Sequence, residues 1–280
     1  MKFPIKRKVV TGRIPGFGLS LGLSMTYVSF LILIPISSLV LYAAKIPLKD
    51  YLDIISDDRV IAAFKISFFS AIIAALINFV FGFILAWILT RYNFFGKKIV
   101  DACIDLPFAI PTAVAGISLA MVFSPNGFLG KFLLLFDISI GYSTAAIVVA
   151  LTFIGLPFVV RTVQPVIMEL DIAVEEAAAS LGANYFQTFR KVIFPSVLPA
   201  LVTGATMAFA RGLGEYGSVV FIASNIPYES EIVPLLIVKK LMGFDYLGAS
   251  AIGVTMLVIA LIMMLVIGYL QNYMVRRRSP

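Results

Sequence analysis

The chain has 280 residues, of which 61% are hydrophobic and only 13% are charged, about half the charged share of an ordinary soluble domain. Its mean hydropathy of +1.03 and its long apolar runs exclude a soluble globular protein and indicate an all-α integral membrane protein. The net charge of +7 comes from basic residues that flank the apolar runs, which indicates membrane topology and not nucleic-acid binding. Because histidine is absent and Cys103 is the single cysteine, we expect no internal disulfide, no His/Cys metal site, no histidine triad and no cofactor.

Six apolar segments are long enough to cross a membrane, which takes about 20 residues per helix. The first follows five basic residues, as in a signal peptide, but its apolar run is too long for a cleaved signal, so we expect it to be retained. The sequence therefore predicts a six-helix domain at 19–273, between an N-terminal segment at 1–18 and a basic tail at 274–280. The predicted spans are residues 19–44, 62–90, 102–124, 142–165, 197–223 and 248–273.

Lysine and arginine are distributed unequally between the two sides of this predicted domain. Fourteen of them fall in the terminal segments and in the second and fourth loops, whereas six fall in the other three loops. Because basic loops remain in the cytoplasm, we expect both termini and the loop at 169–196 to be cytoplasmic.

Three prolines, Pro107, Pro111 and Pro157, lie inside or beside the apolar segments. Proline has no backbone N–H and disturbs a helix, so these positions predict kinks. The kinks either surround a cavity or have a purely structural role.

The loop at 169–196 contains an acidic, alanine-rich segment, EEAAASLG, with the signals of a capped helix. Asp171 suits the N-cap, and Gly182 suits the left-handed residue after the helix. Two glutamates follow near the positive end of the helix dipole, and the alanines at 177–179 leave room for another surface to approach. The segment is either a docking element or an ordinary helix on the membrane surface.

A second short helix is predicted after the turn. Asn184 and Gln187 are spaced as a capping pair, and Arg190 and Lys191 would close that helix with the favourable sign of charge. Pro195 then marks the return of the chain into the membrane.

The same loop resembles the EAA motif of ABC importer permeases, in which EAA is followed by three residues, a glycine, nine residues and Ile-x-Leu-Pro. Here Glu176 begins EAA, Gly182 has the matching spacing, and Val192 and Phe194 replace the isoleucine and leucine. The resemblance implies the type I permease architecture of ABC importers, with a coupling helix that sits in a groove of a separate cytoplasmic ATPase. The residues assigned to coupling are Glu175, Glu176, Ala177, Ala178, Ala179, Leu181, Gly182 and Pro195.

No phosphate-binding loop of the form G-x-x-x-x-G-K-[ST] occurs in the sequence. Gly130 and Lys131 are followed by Phe132, and the upstream glycine is missing. We therefore expect the chain not to be an enzyme itself and to obtain energy through a dimer of the partner ATPase.

The fifth predicted span carries two charged residues, Arg211 and Glu215, at a spacing that lets them pair. On a continuous helix they share one face with Gly212 and Ser218, so that face is predicted to point into the protein. Gly214 adds to the deformability of the span. The group is either a buried pair or gate, or it places Arg211 near the pathway of an anionic substrate.

Residues 156–167 (LPFVVRTVQPVI), residues 225–237 (NIPYESEIVPLLI) and the stretch that begins ARGLGEYGS at Ala210 resemble the sulfate/molybdate/tungstate branch of ABC importer permeases, most of all its T-type sulfate/thiosulfate permeases. The resemblance implies a protein of the bacterial inner membrane that moves sulfate or thiosulfate inward by alternating access. It also implies a heterodimer with a second permease of the W type, an ATPase dimer, an external sulfate-binding protein and contact with membrane lipid.

The segment at 225–247 is predicted to lie outside, either as a gate and docking surface for the binding protein or as a loop on the membrane surface. Pro227 and Pro234 are expected to interrupt it. The side chains expected at the interface are Leu235, Leu236 and Val238, beside Lys239 and Lys240.

Other functions remain consistent with the sequence. A molybdate or tungstate importer permease would have the same motifs, and an ATPase-independent secondary anion transporter would use Arg211 and Glu215 as an ion relay. A membrane enzyme is poorly supported, because Asp101 and Asp105 share a helical face but have no nucleophile or metal ligands beside them.

Overall fold

The computed structural model describes residues 17–276, with side chains described as far as residue 269. Most of the predicted N-terminal segment and the end of the basic tail therefore lie outside the described residues. Within the described part, all regular structure is helical. The helices are α1 (Phe17–Val28), α2 (Ile34–Ala43), α3 (Leu48–Ile55), α4 (Asp58–Arg91), α5 (Lys97–Ile104), α6 (Leu106–Ala109), α7 (Thr112–Phe123), α8 (Phe128–Leu134), α9 (Thr144–Glu169), α10 (Ile172–Ser180), α11 (Tyr185–Thr188), α12 (Phe194–Leu213), α13 (Val219–Ile222), α14 (Val233–Met242) and α15 (Tyr246–Arg276), with π-helical turns at Ser29–Leu33 and Phe189–Ile193.

Five helical segments among the described residues are long and apolar enough to cross a membrane. The bent pair α7–α8, with an angle of 41° between its helices, is together also long and apolar enough, which gives up to six spans, in agreement with the predicted number. The five continuous segments are Phe17–Ala43, Asp58–Arg91, Thr144–Glu169, Tyr185–Leu213 and Tyr246–Tyr269.

The third predicted span, 102–124, is wrong as a continuous helix. The chain there forms α5, the single turn α6 and then α7, which begins directly after Pro111. Pro107 and Pro111 explain the breaks, because proline lacks an N–H and disfavours helix at the preceding residue. In contrast, α9 continues through Pro157 and Pro165, so a proline does not end that span.

The fifth predicted span, 197–223, is wrong at both ends. The helical segment begins at Tyr185, passes through the π-helical turn Phe189–Ile193 and ends at Leu213. The expected second helix of the loop therefore runs on into α12 and does not close at Arg190 and Lys191. The π-helical turn ends two residues before Pro195, which lacks the N–H of a regular helical hydrogen bond.

Helices α4, α9 and α12 pack against one another at the centre of the bundle, where small residues allow close contact. A Cβ atom on Gly82 of α4 would lie 2.7 Å from Val159 of α9, and one on Gly204 of α12 would lie 2.8 Å from the Cα of the same valine. In the first span, by contrast, none of the 18 most apolar consecutive residues is buried. One surface of the described chain is therefore left for lipid or another protein.

The length of α4 defines two ends of the molecule. Its 34 residues extend about 50 Å at 1.5 Å per residue. Arg59, near its first residue, bonds to Glu231 just before α14, and Arg91, its last residue, bonds to Glu175 in α10. We call these the α14 end and the α10 end.

Candidate functional site

The helix α10 has the caps that the sequence predicts. The carboxylate of Asp171 accepts a hydrogen bond of 2.9 Å from the backbone N–H of Ala173. At the other end, Gly182 has a φ of +82°, and its N–H and that of Ala183 donate to the carbonyls of Ala179 and Ala178 at 2.9 and 3.0 Å. These two bonds form a Schellman motif, which satisfies carbonyls at the end of the helix.

The turn after α10 is closed by the predicted capping pair. The Asn184 side chain accepts from the Gln187 N–H at 2.9 Å, and the Gln187 side chain accepts from the Asn184 N–H at 3.0 Å. Both bonds of a capping box are therefore present. The loop is held in one shape by hydrogen bonds within itself.

The surface of α10 and its turn is uncovered by the rest of the described chain. No residue of α10 is buried. Leu181 and Tyr185 are 89% and 98% exposed, and Ile172 and Phe186 are also exposed. Of the residues predicted for coupling, Glu175 and Ala178 are half-buried, Glu176, Ala177, Ala179, Leu181 and Gly182 are exposed, and Pro195 is half-buried at the start of α12.

An ion pair fixes α10 to the body of the molecule. The guanidinium of Arg91, the last residue of α4, donates to the carboxylate of Glu175 at 2.6 Å and lies over the ring of Trp87, 5.4 Å from its centroid. Arg91 was not among the residues predicted for coupling. Its position at the end of a span that leads to the same side as the loop was the available signal.

A cluster of charged side chains lies between the α5–α6 break and α9. Arg161 binds both oxygens of Asp105 at 2.7 and 2.6 Å and one oxygen of Asp101 at 2.7 Å, and it also donates to Gln164 at 2.7 Å. Asp101 and Asp105 thus hold the broken segment against α9. Arg161, which the topology count placed in a loop, lies within α9.

Arg211 and Glu215 form the predicted pair, with 2.7 Å between Nη1 and Oε2. Glu215 is 2% exposed and lies beyond the end of α12, where Oε1 accepts from the N–H and hydroxyl of Ser218 at 3.0 and 3.1 Å. The prediction that Glu215 and Ser218 lie on one continuous helical face with Arg211 and Gly212 is therefore wrong. Arg211 and Gly212 lie inside α12, whereas Glu215 and Ser218 lie beyond its end. Gly214, the residue after the helix, is exposed.

The segment that carries Glu215 is packed tightly against α7. A Cβ atom on Gly116 would collide with the backbone of Ser218, and one on Gly217 would collide with the side chain of Thr112. Glycine at both positions permits this contact, so the loop after α12 is fixed in place from outside the helix.

Another cluster of charged side chains surrounds Glu231 at the α14 end. The fully buried carboxylate of Glu231 accepts two hydrogen bonds from Arg59, at 2.7 and 2.8 Å, and one from Lys239 at 2.7 Å. Burial opposes ionisation of this group, but the bonds from the two cations outweigh it, so the pKa of Glu231 lies below its ordinary value. Of these three residues, Lys239 was predicted as a site residue from the sequence, whereas Arg59 and Glu231 were not.

The predicted docking residues at this end have mixed positions. Pro227 is half-buried, and Pro234 lies in the first turn of α14 and does not interrupt it, since a missing N–H costs nothing there. Lys240 pairs with Asp245 at 2.7 Å.

Leu235 and Leu236 are buried, so the expectation that they lie at an external interface is wrong. A cavity of about 460 Å³ opens here, lined by Asp53, Ile54, Asp57, Arg59, Val60, Leu236, Lys239 and Lys240.

Residues 78–280 match the family described as binding-protein-dependent transport system inner membrane component. The chain is 47% identical over 264 residues to the sulfate transport system permease protein CysT of Salmonella typhimurium and 48% identical over 264 residues to that of Escherichia coli, in both cases over 94% of this chain and 95% of the relative. A solved bacterial ABC transporter involved in import of the acidic polysaccharide alginate has the same fold, with a TM-score of 0.73 at 19% identity over 95% of this chain and 97% of that one. The chain therefore belongs to the family of inner-membrane permease components of binding-protein-dependent ABC importers.

Proposed function

We propose that this chain is a permease subunit of an ATP-driven importer that moves sulfate, or thiosulfate, into the cell by alternating access. The observation that carries the proposal is the identity of 47–48% over nearly the whole chain to two proteins named as sulfate transport permeases. The chain itself supplies the pathway, and a separate ATPase supplies the energy. Alternating access requires that the partners bind the two states of the permease with different free energies.

The α10 end docks the cytoplasmic ATPase dimer. A capped, uncovered helix with small side chains at 177–179 and exposed Leu181 fits a groove on another protein. The Arg91–Glu175 ion pair connects α10 directly to α4, so a movement of α10 would be transmitted to α4. Glu176 and Gly182 belong to the same surface, whereas Pro195 acts by setting the start of α12.

The α14 end faces outward and receives a sulfate-binding protein. The excess of basic residues on the opposite side supports this orientation. The charged cavity beside Arg59 and Lys239 is a concave surface that a polar loop of a partner can enter. Lys240 lines the same cavity. Pro234 lies in the first turn of the adjoining helix α14, and Pro227 lies in the loop before it.

A second, different permease of the W type completes the pathway. The exposed first span and the uncovered face of α12 leave room for such a partner beside lipid. Arg211 and Glu215, with Gly212, Gly214 and Ser218, lie where α12 stops and form part of the gate between the two permeases.

The experiment that tests this assembly is purification of the chain from its native membrane in mild detergent, followed by mass spectrometry of the proteins recovered with it. An ATPase and a second permease should be recovered in fixed ratio. An ATPase with two copies of this chain would refute the heterodimer. Recovery of the chain alone, under conditions that keep a known ABC importer intact, would refute the coupling proposal.

A further inference from the structure

One face of α12 is left uncovered by the rest of the described chain. Positions 200, 203, 207, 210 and 211 fall within an arc of about 100° on a helix of 3.6 residues per turn. Met207 is 49% exposed and the Arg211 side chain is 37% exposed, whereas the opposite faces are buried against α4 and α9. Arg211 is therefore the charged residue of an otherwise uncharged, open face.

Arg211 lies well inside the bundle and not at its rim. Gly212, the next residue, is level with Leu151 of α9 and Ala71 of α4, since a Cβ atom there would lie 3.6 and 3.7 Å from them. Leu151 is seven residues from Thr144, the first residue of α9, and so about 10 Å along that helix. An exposed charge at this depth is too costly to face lipid hydrocarbon. It must face water or protein.

Glu215, the partner of Arg211, uses both of its carboxylate oxygens. One oxygen of Glu215 binds Arg211, and the other accepts both donors of Ser218. Ser218 is itself held by the close contact with Gly116. Glu215 thus orients the guanidinium through the contact at Nη1. Among the residues whose side chains are described, no other partner of Arg211 is found, so the remaining N–H donors of its five are available on the open face.

From this arrangement we infer that Arg211 contacts the oxyanion directly as it crosses the membrane, an inference that rests on the proposed import of sulfate. The planar guanidinium matches two oxygens of a tetrahedral dianion at once, which a lysine does not. Glu215 orients this donor set and balances its charge. Balance matters in a pathway, because an anion must bind well enough to enter and weakly enough to leave.

The decisive experiment separates contact with the anion from a purely structural pair. The whole complex, with ATPase, second permease and loaded binding protein, is reconstituted into liposomes, and uptake of radioactive sulfate is measured for wild type, Arg211→Gln, Arg211→Lys and the double variant Arg211→Gln/Glu215→Gln. Lys65→Gln, which removes an exposed positive charge from α4, is the matched control. Complex recovery and ATPase stimulation by loaded binding protein are measured for each.

We expect the double variant to assemble, because it leaves no unpaired buried charge. Its sulfate uptake should still fall by about tenfold or more, as for loss of hydrogen bonds to a charged group. Arg211→Lys should keep an intermediate rate, and Lys65→Gln should transport as wild type does.

Three results would overturn the inference while leaving the importer intact. A loss of ATPase stimulation in the double variant that parallels its loss of uptake would make the pair part of the gate alone. Wild-type uptake by the double variant would make Arg211 a structural brace, and loss of the second permease from purified Arg211→Gln and double-variant complexes would make it an interface residue. Absence of ATP-dependent sulfate uptake by the wild-type complex would instead refute the proposed function itself.

Discussion

Arg91, the last residue of the central helix α4, donates a hydrogen bond of 2.6 Å to Glu175 in the exposed helix α10. Both side chains are partly shielded from solvent, at 18% and 30% exposure. The pair therefore connects the surface proposed to receive the ATPase with the helix that runs the full length of the bundle.

Replacement of Arg91 by glutamine should loosen this connection. The amount of sulfate imported per ATP hydrolysed should fall about three- to fivefold, because a partly exposed ion pair contributes at most roughly 1 kcal/mol. The ratio is measured in liposomes that contain the reconstituted complex. Lys98→Gln removes a nearby exposed charge as a control, and an equal loss in both variants would count against a specific role of Arg91.

Replacement of Gly182 by valine should distort the turn after α10. A Cβ atom at this position meets no other atom within 4 Å, so the φ of +82° is the whole obstacle. A β-branched residue in this conformation costs about 1–2 kcal/mol, whereas asparagine tolerates it. Gly182→Val should therefore increase protease cleavage of the loop and uncouple ATP hydrolysis from uptake, and Gly182→Asn should do neither. Normal coupling in the valine variant would refute the role of the Schellman turn.

Replacement of Gly116 by alanine should push α7 away from Ser218. The added methyl group would overlap backbone atoms, which cannot move as a flexible side chain does. Overpacking of this kind costs about 1–3 kcal/mol. The unfolding temperature in detergent should fall. Gly22→Ala, where nothing lies within 4 Å, should not lower it, because alanine favours a helix more than glycine does. An unchanged melting temperature for Gly116→Ala would show that the contact is loose.

Replacement of Glu231 by glutamine should destabilise the α14 end. The change leaves Arg59 and Lys239 without their shared carboxylate and should cost about 2 kcal/mol, less than in a fully buried pair because both cations are more than a third exposed. The difference in unfolding temperature between wild type and variant measures this loss. An unchanged unfolding temperature for Glu231→Gln at neutral pH would show that the cluster adds nothing to stability.

The same difference should depend on pH. The pKa of Glu231 is lower in the folded protein than the ordinary value of about 4.5. The stabilisation is therefore complete above that value and is lost as the pH falls below it, towards the folded pKa. Wild type and Glu231→Gln should become similar in stability in acid, and a constant gap down to low pH would contradict the ionised cluster.

The local features of the candidate site could be predicted from the sequence because their signals are local. The N-cap at Asp171, the left-handed Gly182 and the Asn184–Gln187 box each depend on residues within a few positions of one another. The pairing of Arg211 with Glu215 was predicted for the same reason. The predicted position of Glu215 on a continuous helical face was wrong, because α12 ends at Leu213 and Glu215 lies beyond it.

The charged clusters that connect distant helices could not be predicted in this way. Arg59 and Glu231 are 172 residues apart, and Arg161 and Asp105 are 56 apart, so no sequence spacing brings them together. The six-span count also hid the break at Pro111, because hydropathy records composition and not helix continuity. Leu235 and Leu236 were placed at an interface because hydropathy alone does not distinguish a buried leucine from one that contacts a partner.

Sulfate uptake by the purified complex tests the central claim most directly. The chain is reconstituted into liposomes with the ATPase and second permease recovered with it, and radioactive sulfate is supplied on the loaded binding protein. The account predicts accumulation inside that requires both ATP and the binding protein and that stops when residues 171–190 are deleted. Accumulation that proceeds without ATP, driven by an ion gradient across the liposome membrane, would contradict it.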